Sequence, residues 1–272
     1  MSDDDGRIRV CVAGITGWTG RPMAEAIAAA SDLQLVAGVS RAATGSTISH
    51  ALDIEGAGGV VFGTVGEALE AGPVDVLVDF TSAEAVRGNV LTAITRGAHV
   101  VNGSSGLTAD DYAAIEQLAL EHQVGVVAMA NASIMAALLQ RFAVQAAQHL
   151  PSWEIIDYAS ASKIDVPSGT SRQLAERLGN VRRPTGSRPS DELIGPQEAR
   201  GASIEGTQIH SIRLASYVVS TEVIFAQAGE RLIVSHEAGE SPAPYVRGTL
   251  LAVREVVQRV GLINGLDALL FR

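Results

Sequence analysis

Between Arg7 and Asn131 the sequence alternates two kinds of segment, and this alternation limits the fold more than any other feature. The runs RIRVCVAG, LQLVAGVS, VDVLVDFT, AHVVNGS and VGVVAMAN are nearly all apolar, the composition of strands covered on both faces in a parallel sheet. Between several of them lie helical patterns such as SAEAVRGNVLTAITRG and TADDYAAIEQLALEHQ. The second opens on Thr108 with Asp111 three residues on, a capping-box spacing that predicts a helix start. Repeated strand–helix units require right-handed crossovers and give a doubly wound, Rossmann-like α/β sheet.

After Asn131 the character changes. A long helical pattern, SIMAALLQRFAVQAAQHL, leads to a strand, SWEIIDYASAS, and a short helix, SRQLAERLGN. A polar stretch rich in Gly, Pro and Arg follows, then three strand-like runs, TQIHSIRLAS, STEVIFAQAG and ERLIVSHEAG. Consecutive strands without intervening helices predict a second domain of α+β type with a mainly antiparallel or mixed sheet. The chain closes on PYVRGTLLAVREVVQRVG, where Pro244 suits a first helical turn.

A formal net charge of −10 excludes a sequence-wide basic face, so no nucleic-acid partner is expected. No apolar run is long enough to span a bilayer, and the start, MSDDDG, is acidic where a signal peptide is basic. The single cysteine, Cys11, lies in an apolar run and forms no intrachain disulfide, which fits a cytoplasmic protein. The six histidines lack metal-ligand spacing, and no metal is expected.

Chemistry enters with GITGWTG, which directly follows the first strand and sets Gly14, Gly17 and Gly20 as G-x-x-G-x-x-G. A tight turn there aims backbone amides and a helix N-terminus at a pyrophosphate, with no side chains to block its approach. The competing reading, an ordinary glycine-rich turn, is disfavoured by the buried strand before it and the parallel-sheet pattern after it. About twenty residues beyond, where an acid would bind the ribose of NAD, stands Ser40, followed by Arg41. A guanidinium grips a phosphate bidentately. The expected coenzyme is therefore NADPH, with NADH the second choice. Two further strand ends, Asp79–Ser82 (with Phe80 and Thr81) and Asn102–Gly106, form a floor for a nicotinamide ring.

The other candidate centre is SKIDVPSGT. Pro167 disfavours helix just before it, and Ser168, Gly169 and Thr170 supply amides and hydroxyls at a helix N-terminus, a ready anion site. Lys163, with a reference pKa of roughly 10.4, is suited to hold a carboxylate or, if depressed, to give up a proton. On spacing alone, a capped helix with a surface lysine remains the competing reading.

SKIDVPSGTS resembles the H-K-V-D-A-P-S-G-T motif of the dihydrodipicolinate reductase family. The similarity extends through GITGWTG, DFTS, NGSSG where the family has G-T-T-G, MANAS where it has A-N-F-S, and IFAQAGERLIVSHEA. The resemblance implies a nucleotide domain of residues 1–132 and 244–272, with residues 133–243 as substrate domain and tetramer-builder. It also implies hydride transfer from a nicotinamide cofactor to a cyclic imine bearing two carboxylates, such as 4-hydroxy-tetrahydrodipicolinate in lysine biosynthesis. By position, Lys163 would bind substrate or donate a proton, and Gly169 with Thr170 would hold a carboxylate. Gly14, Ile15, Thr16, Gly17, Trp18, Thr19, Gly20, Arg41, Gly103, Ser104, Ser105, Met129, Ala130, Asn131 and Ala132 would contact cofactor.

The departures carry information too. Where the family has E-x-H-H-R-H-K, this chain reads DYASASK. Ala159 holds the place of the general acid, and Ser160 that of a substrate-binding histidine. Ala161 and Ser162 replace the Arg and the last His. The family's S-S-R-x-x-F segment becomes GESPAPY, without the arginine. A positioned general acid contributes about 10²- to 10⁴-fold, so its loss is survivable; an iminium accepts hydride without further acid. Tyr158 would face the other side of a regular strand, and His236 reads as a core or solvent-facing residue. Three readings stay open: the family reaction, a sibling reductase acting on a less anionic imine or carbonyl, and a catalytically silent NADP-binding protein. Lys163 and the S-G-T turn weigh against the third.

Overall fold

Val10, Cys11, Val12 and Ala13 have no solvent exposure, so the first strand lies inside a sheet covered on both faces. The structure, a computed structural model, describes residues 6–186, 188–189, 192–215 and 219–271. The chain forms two units: one runs to Ile134 and resumes from Pro242, and the other is Met135–Ser241.

The first unit contains β1 (Ile8–Ala13), α1 (Gly20–Ala29), β2 (Leu33–Val39), α2 (Ile48–Leu52), β3 (Val60–Phe62) and α3 (Val65–Ala71). It continues through β4 (Val76–Asp79), α4 (Val86–Thr95), β5 (His99–Asn102), α5 (Ala109–Glu121) and β6 (Gly125–Ala128). The capping box is formed: Thr108 N–H donates to Asp111 at 2.9 Å, and Asp111 N–H donates to the Thr108 hydroxyl at 3.2 Å. One face of the sheet packs Cys11, Leu77 and Val100 against Val90, Ile94 and Ile115 of the helices.

The second unit begins in α6 (Ile134–His149), followed by β7 (Trp153–Ser160), α7 (Gly169–Val181), β8 (Ala202–Ile204), β9 (Thr207–Leu214), β10 (Val219–Gln227) and β11 (Glu230–His236). The sheet order is β11-β10-β7-β9-β8. It is mixed because α7 carries the chain from β7 to β9, which pair in parallel; the remaining pairings are antiparallel. Alternate residues of β7 point inward, so Trp153 and Ile155 pack with Leu139, Leu174, Leu178, Val223 and Phe225. The opposite face carries Leu214 and Ile233, each at least half exposed.

The chain then returns to the first unit through α8 (Ala243–Val256), β12 (Gly261–Asn264) and α9 (Asp267–Leu270). Strand β12 pairs with β6 and completes an all-parallel sheet of order β12-β6-β5-β4-β1-β2-β3. From β1 the chain moves outward through β2 and β3, and then resumes on the other side at β4. The border between β1 and β4 is therefore the switch point at which such sheets bind ligands. Among the described residues, no helix is long and apolar enough to cross a membrane.

Candidate active site

The β1–α1 turn lies at the switch point and is built backbone on backbone. Gly14 takes φ +78°, and a Cβ there would overlap the Phe80 carbonyl. Gly17 N–H donates to Gly14 O at 2.8 Å, and a Cβ on Gly20 would overlap that same carbonyl. Both glycines are thus required by close approach, not only by conformational freedom. No side chain caps α1 at Thr19, so its first turn keeps the partial positive charge that suits an anion. Ile15 is buried beneath the turn, and Thr16 is tied to Ser40 at 2.7 Å between their hydroxyl oxygens. Arg41 follows in an exposed 3-10 turn, Arg41–Ala43. Trp18 is 54% exposed and meets Tyr245 edge-on.

Asp79 organises the neighbouring strand ends. It is fully buried, and its carboxylate accepts from Thr81 N–H at 3.0 Å, and from the Thr81 and Ser104 hydroxyls, each at 2.7 Å. The Asn89 amide donates to its other oxygen at 2.8 Å. Gly103 N–H donates to Asp79 O at 3.0 Å, and a Cβ on Gly103 would overlap the Phe80 ring. DFTS and NGSSG therefore form one hydrogen-bonded floor. Ser104 departs from the sequence reading: its hydroxyl is spent on Asp79, whereas Ser105 is exposed. Beneath them, burial and then the charge of Asp79 push the Cys11 thiol up to about 12, so it stays neutral and unreactive. Met129 donates its N–H to Asn102 O at 2.8 Å, Ala130 is exposed, Asn131 accepts from Ser133 N–H at 2.8 Å, and Ala132 is buried.

In the second unit, the end of β7 and the start of α7 are organised by another buried carboxylate. Asp157 accepts from Ser168 N–H at 3.0 Å, the Ser171 hydroxyl at 2.9 Å, the Ser211 hydroxyl at 3.0 Å and Arg213 Nη2 at 2.8 Å. Burial alone would raise its pKa; the bonds from Ser168 and Arg213 outweigh it and hold the group below the ordinary carboxylate range. Arg213 Nη2 also donates to Asp165 O at 2.8 Å, so one guanidinium joins β9, β7 and the loop before α7.

That loop presents Lys163, whose Nζ pairs with the Asp165 carboxylate at 2.8 Å. Burial works against the charge on Asp165, but Lys163 and the Gly169 amide outweigh it and hold its pKa low. The resident carboxylate thus occupies the kind of environment a ligand anion would take. Gly169 is exposed, with open space where a Cβ would stand. Ser168 differs from the sequence reading: it is buried, its N–H serves Asp157, and its hydroxyl accepts from Ser171 N–H at 3.3 Å as the cap of α7. Thr170 is also buried. Ser160 and Ser162 face each other, hydroxyl to hydroxyl, at 3.0 Å. The Ala159 methyl is buried, while Tyr158 lies on the opposite side of β7.

Sequence reading missed Asp157 with Arg213 and the pairing of Lys163 with Asp165. The first had a signal: Asp157 shares inward parity with Trp153, Ile155 and Ala159, and a lone carboxylate on a core face demands partners. His236 is buried and its pKa lowered by that burial. Among the described residues, no group of three or more His, Cys, Asp or Glu is placed to hold a metal.

A glycine turn at the switch point of a doubly wound sheet, in a chain whose α+β unit carries the Lys163–Asp165 pair in the loop before a helix, defines a nicotinamide-dependent oxidoreductase. The residues present fit that cofactor, because the β1–α1 turn offers an open helix N-terminus and backbone held free of side chains. Residues 8–132 match the family model described as dihydrodipicolinate reductase, N-terminus, and residues 135–270 match its C-terminus. The chain belongs to the dihydrodipicolinate reductase family and is an NAD(P)H-dependent reductase of that family. It is 34% identical over 267 residues, covering 97% of this chain and 99% of the relative, to 4-hydroxy-tetrahydrodipicolinate reductase of Syntrophomonas wolfei. It is 34% identical over 264 residues, covering 97% and 98%, to the Moorella thermoacetica enzyme of the same name. Among solved structures, the dipicolinate-bound dihydrodipicolinate reductase of Paenisporosarcina sp. TG-14 superposes with TM-score 0.82 at 25% identity, covering 96% of this chain and 99% of that one. An amine dehydrogenase from Mycobacterium smegmatis shares the fold, with TM-score 0.64 at 14% identity and coverage of 96% and 95%.

Proposed function

We propose that this chain uses NADPH to reduce the C=N bond of a cyclic imine carrying carboxylate, with 4-hydroxy-tetrahydrodipicolinate the first candidate substrate. The observation that carries the reading is Lys163 paired with the Asp165 carboxylate, which also takes the amide of the exposed Gly169 at the N-terminus of α7. When bound, the reduced nicotinamide supplies a hydride. The imine carbon takes that hydride and the nitrogen a proton, so the protein must hold the ring by its anionic groups. Lys163 holds a carboxylate or delivers the proton, and Gly169 and Thr170 receive a carboxylate at the helix N-terminus. Gly14 to Gly20 hold the pyrophosphate, Arg41 the 2′-phosphate that distinguishes NADPH, and Phe80, Thr81, Gly103, Ser105 and Met129 to Ala132 border the nicotinamide half.

A second reading, a sibling reductase with a less anionic substrate, is favoured by a specific observation. The positions matching the family's general acid and substrate histidine hold a buried methyl, Ala159, and a hydroxyl, Ser160, that is paired with Ser162. Neither carries charge. A silent cofactor-binding protein is the weakest reading, because it gives no use to Lys163 and the turn.

The chain works in the cytoplasm as a homo-oligomer, a reading supported by its acidic, single-cysteine composition and by the exposed Leu214 and Ile233 on the uncovered sheet face. Light scattering checks the oligomer.

The deciding experiment follows NADPH absorbance with freshly condensed aspartate semialdehyde and pyruvate, then with a panel of cyclic and linear imines, in wild type and Lys163→Ala. Turnover of the condensation product that collapses in Lys163→Ala supports the first reading. Turnover only on less anionic imines supports the second, and coenzyme binding without turnover the third.

A further inference from the structure

The nucleotide motif contains an aromatic side chain that its phosphate chemistry does not explain. Trp18 stands between Gly17 and Thr19 and remains 54% exposed. Left alone, an indole on so short a turn would sample several orientations, and the amides of the turn would move with it. Its ring instead meets that of Tyr245, with centroids 6.3 Å apart and planes inclined at 74°, the edge-to-face arrangement favoured by aromatic quadrupoles.

Tyr245 lies in the first turn of α8, and α8 is itself fixed relative to α1. At its far end, Arg254 makes two bonds to the Asp32 carboxylate, at 2.7 and 2.9 Å, just beyond the C-terminus of α1. In between, a Cβ on Gly248 would overlap the Ala132 carbonyl, so α8 runs in backbone contact with the segment after β6. One helix therefore spans α1 from the glycine turn to its end and touches a second candidate cofactor segment on the way.

We propose that Tyr245 is a positioning residue for the dinucleotide: its ring fixes Trp18, and through Trp18 the orientation of the β1–α1 amides. This rests on the reading of that turn as the coenzyme site. Tyr245 is not assigned any contact with the reacting atoms, and its hydroxyl, which burial pushes toward the neutral form, is not required.

The test titrates NADPH into wild type, Tyr245→Ala, Tyr245→Leu and Tyr245→Phe, reading tryptophan fluorescence together with kcat and KM. The chain has two tryptophans; Trp153 is buried against Phe225 and donates to Thr207 at 3.0 Å, so it provides a constant background. In Tyr245→Ala and Tyr245→Leu, Trp18 emission should shift to the red and Kd for NADPH should rise roughly two- to tenfold. The imine KM and saturating kcat should hold, and Tyr245→Phe should restore wild-type values. Folded Ala or Leu variants with wild-type Kd and emission overturn the proposal, as does a Phe variant no better than Leu. If wild type binds neither NADPH nor NADH, the coenzyme reading itself fails, and this inference with it.

Discussion

Arg213 and Asp157 stand on neighbouring strands and meet at 2.8 Å, with the Asp157 side chain sealed from solvent and that of Arg213 only 16% exposed. Removing the guanidinium leaves a buried carboxylate with neutral donors, Ser168 N–H and the Ser171 and Ser211 hydroxyls, and its counter-charge gone. Arg213→Ala should therefore cost about 3 kcal/mol or more in unfolding free energy. Urea denaturation measures this, and a loss below 1 kcal/mol would show that water reaches the carboxylate.

Lys163 and Asp165 make the opposite case. Their side chains are 30% and 47% exposed, and solvent screens such a pair to less than about 1 kcal/mol. Asp165→Asn should barely move the melting temperature, yet it removes the resident anion beside Lys163 and should alter the substrate KM. A variant that melts much earlier with unchanged KM would reverse these assignments.

Gly14→Ala combines two faults: a side chain at φ +78° and overlap with the Phe80 carbonyl. Backbone strain of this kind costs on the order of 1–3 kcal/mol before any clash is counted. Reduced thermal stability should accompany loss of NADPH binding, both readable in one melting series with and without coenzyme. Stabilisation by NADPH equal to that of wild type would rule the turn out as the phosphate site.

Arg41→Ala should reduce the preference for NADPH over NADH by about tenfold or more, the value of a lost charge-assisted bond. The ratio of kcat/KM for the two coenzymes reports it. An unchanged ratio removes Arg41 from the phosphate.

Acid should weaken the fold in two steps. His99 is partly buried and accepts from Gly125 N–H at 2.8 Å; burial lowers its pKa despite the opposing charge of Asp75. The unfolded imidazole, with pKa about 6.5, then binds its proton first, and stability declines as pH falls below that value. Asp157 adds a lower step. Its folded pKa is depressed, so its contribution is complete above the unfolded value of about 3.9 and is lost as pH falls through the folded value. Melting temperatures from pH 8 to 3 should show both, and His99→Gln should flatten the upper one.

The parallel sheet was legible because burial on both faces leaves a local mark: β1, β4, β5 and β6 each carry consecutive buried apolar residues. The same local reading placed the turn of Gly14, Gly17 and Gly20 between β1 and α1, and the helix after Ser168. It missed β12, whose four residues pair with β6 across more than a hundred positions of sequence and are only partly buried. It missed Asp157 for a related reason, since Ser168, Ser171 and Arg213 lie 11, 14 and 56 residues away. It also treated Ser104 and Ser168 as ligand contacts, because a hydroxyl at a strand end or helix start reads alike whether it faces a ligand or a buried carboxylate.

The first unit is not continuous along the chain: it is interrupted at Ile134 and closed by residues from Pro242 onward. This orders events during synthesis. The glycine turn emerges early, but α8 and β12 leave the ribosome only after every strand of the second unit. The second unit can thus fold while the first still lacks an edge strand and the helix that carries Tyr245. A nascent chain stalled before residue 242 would hold every strand of the second unit while the first still lacked α8 and β12.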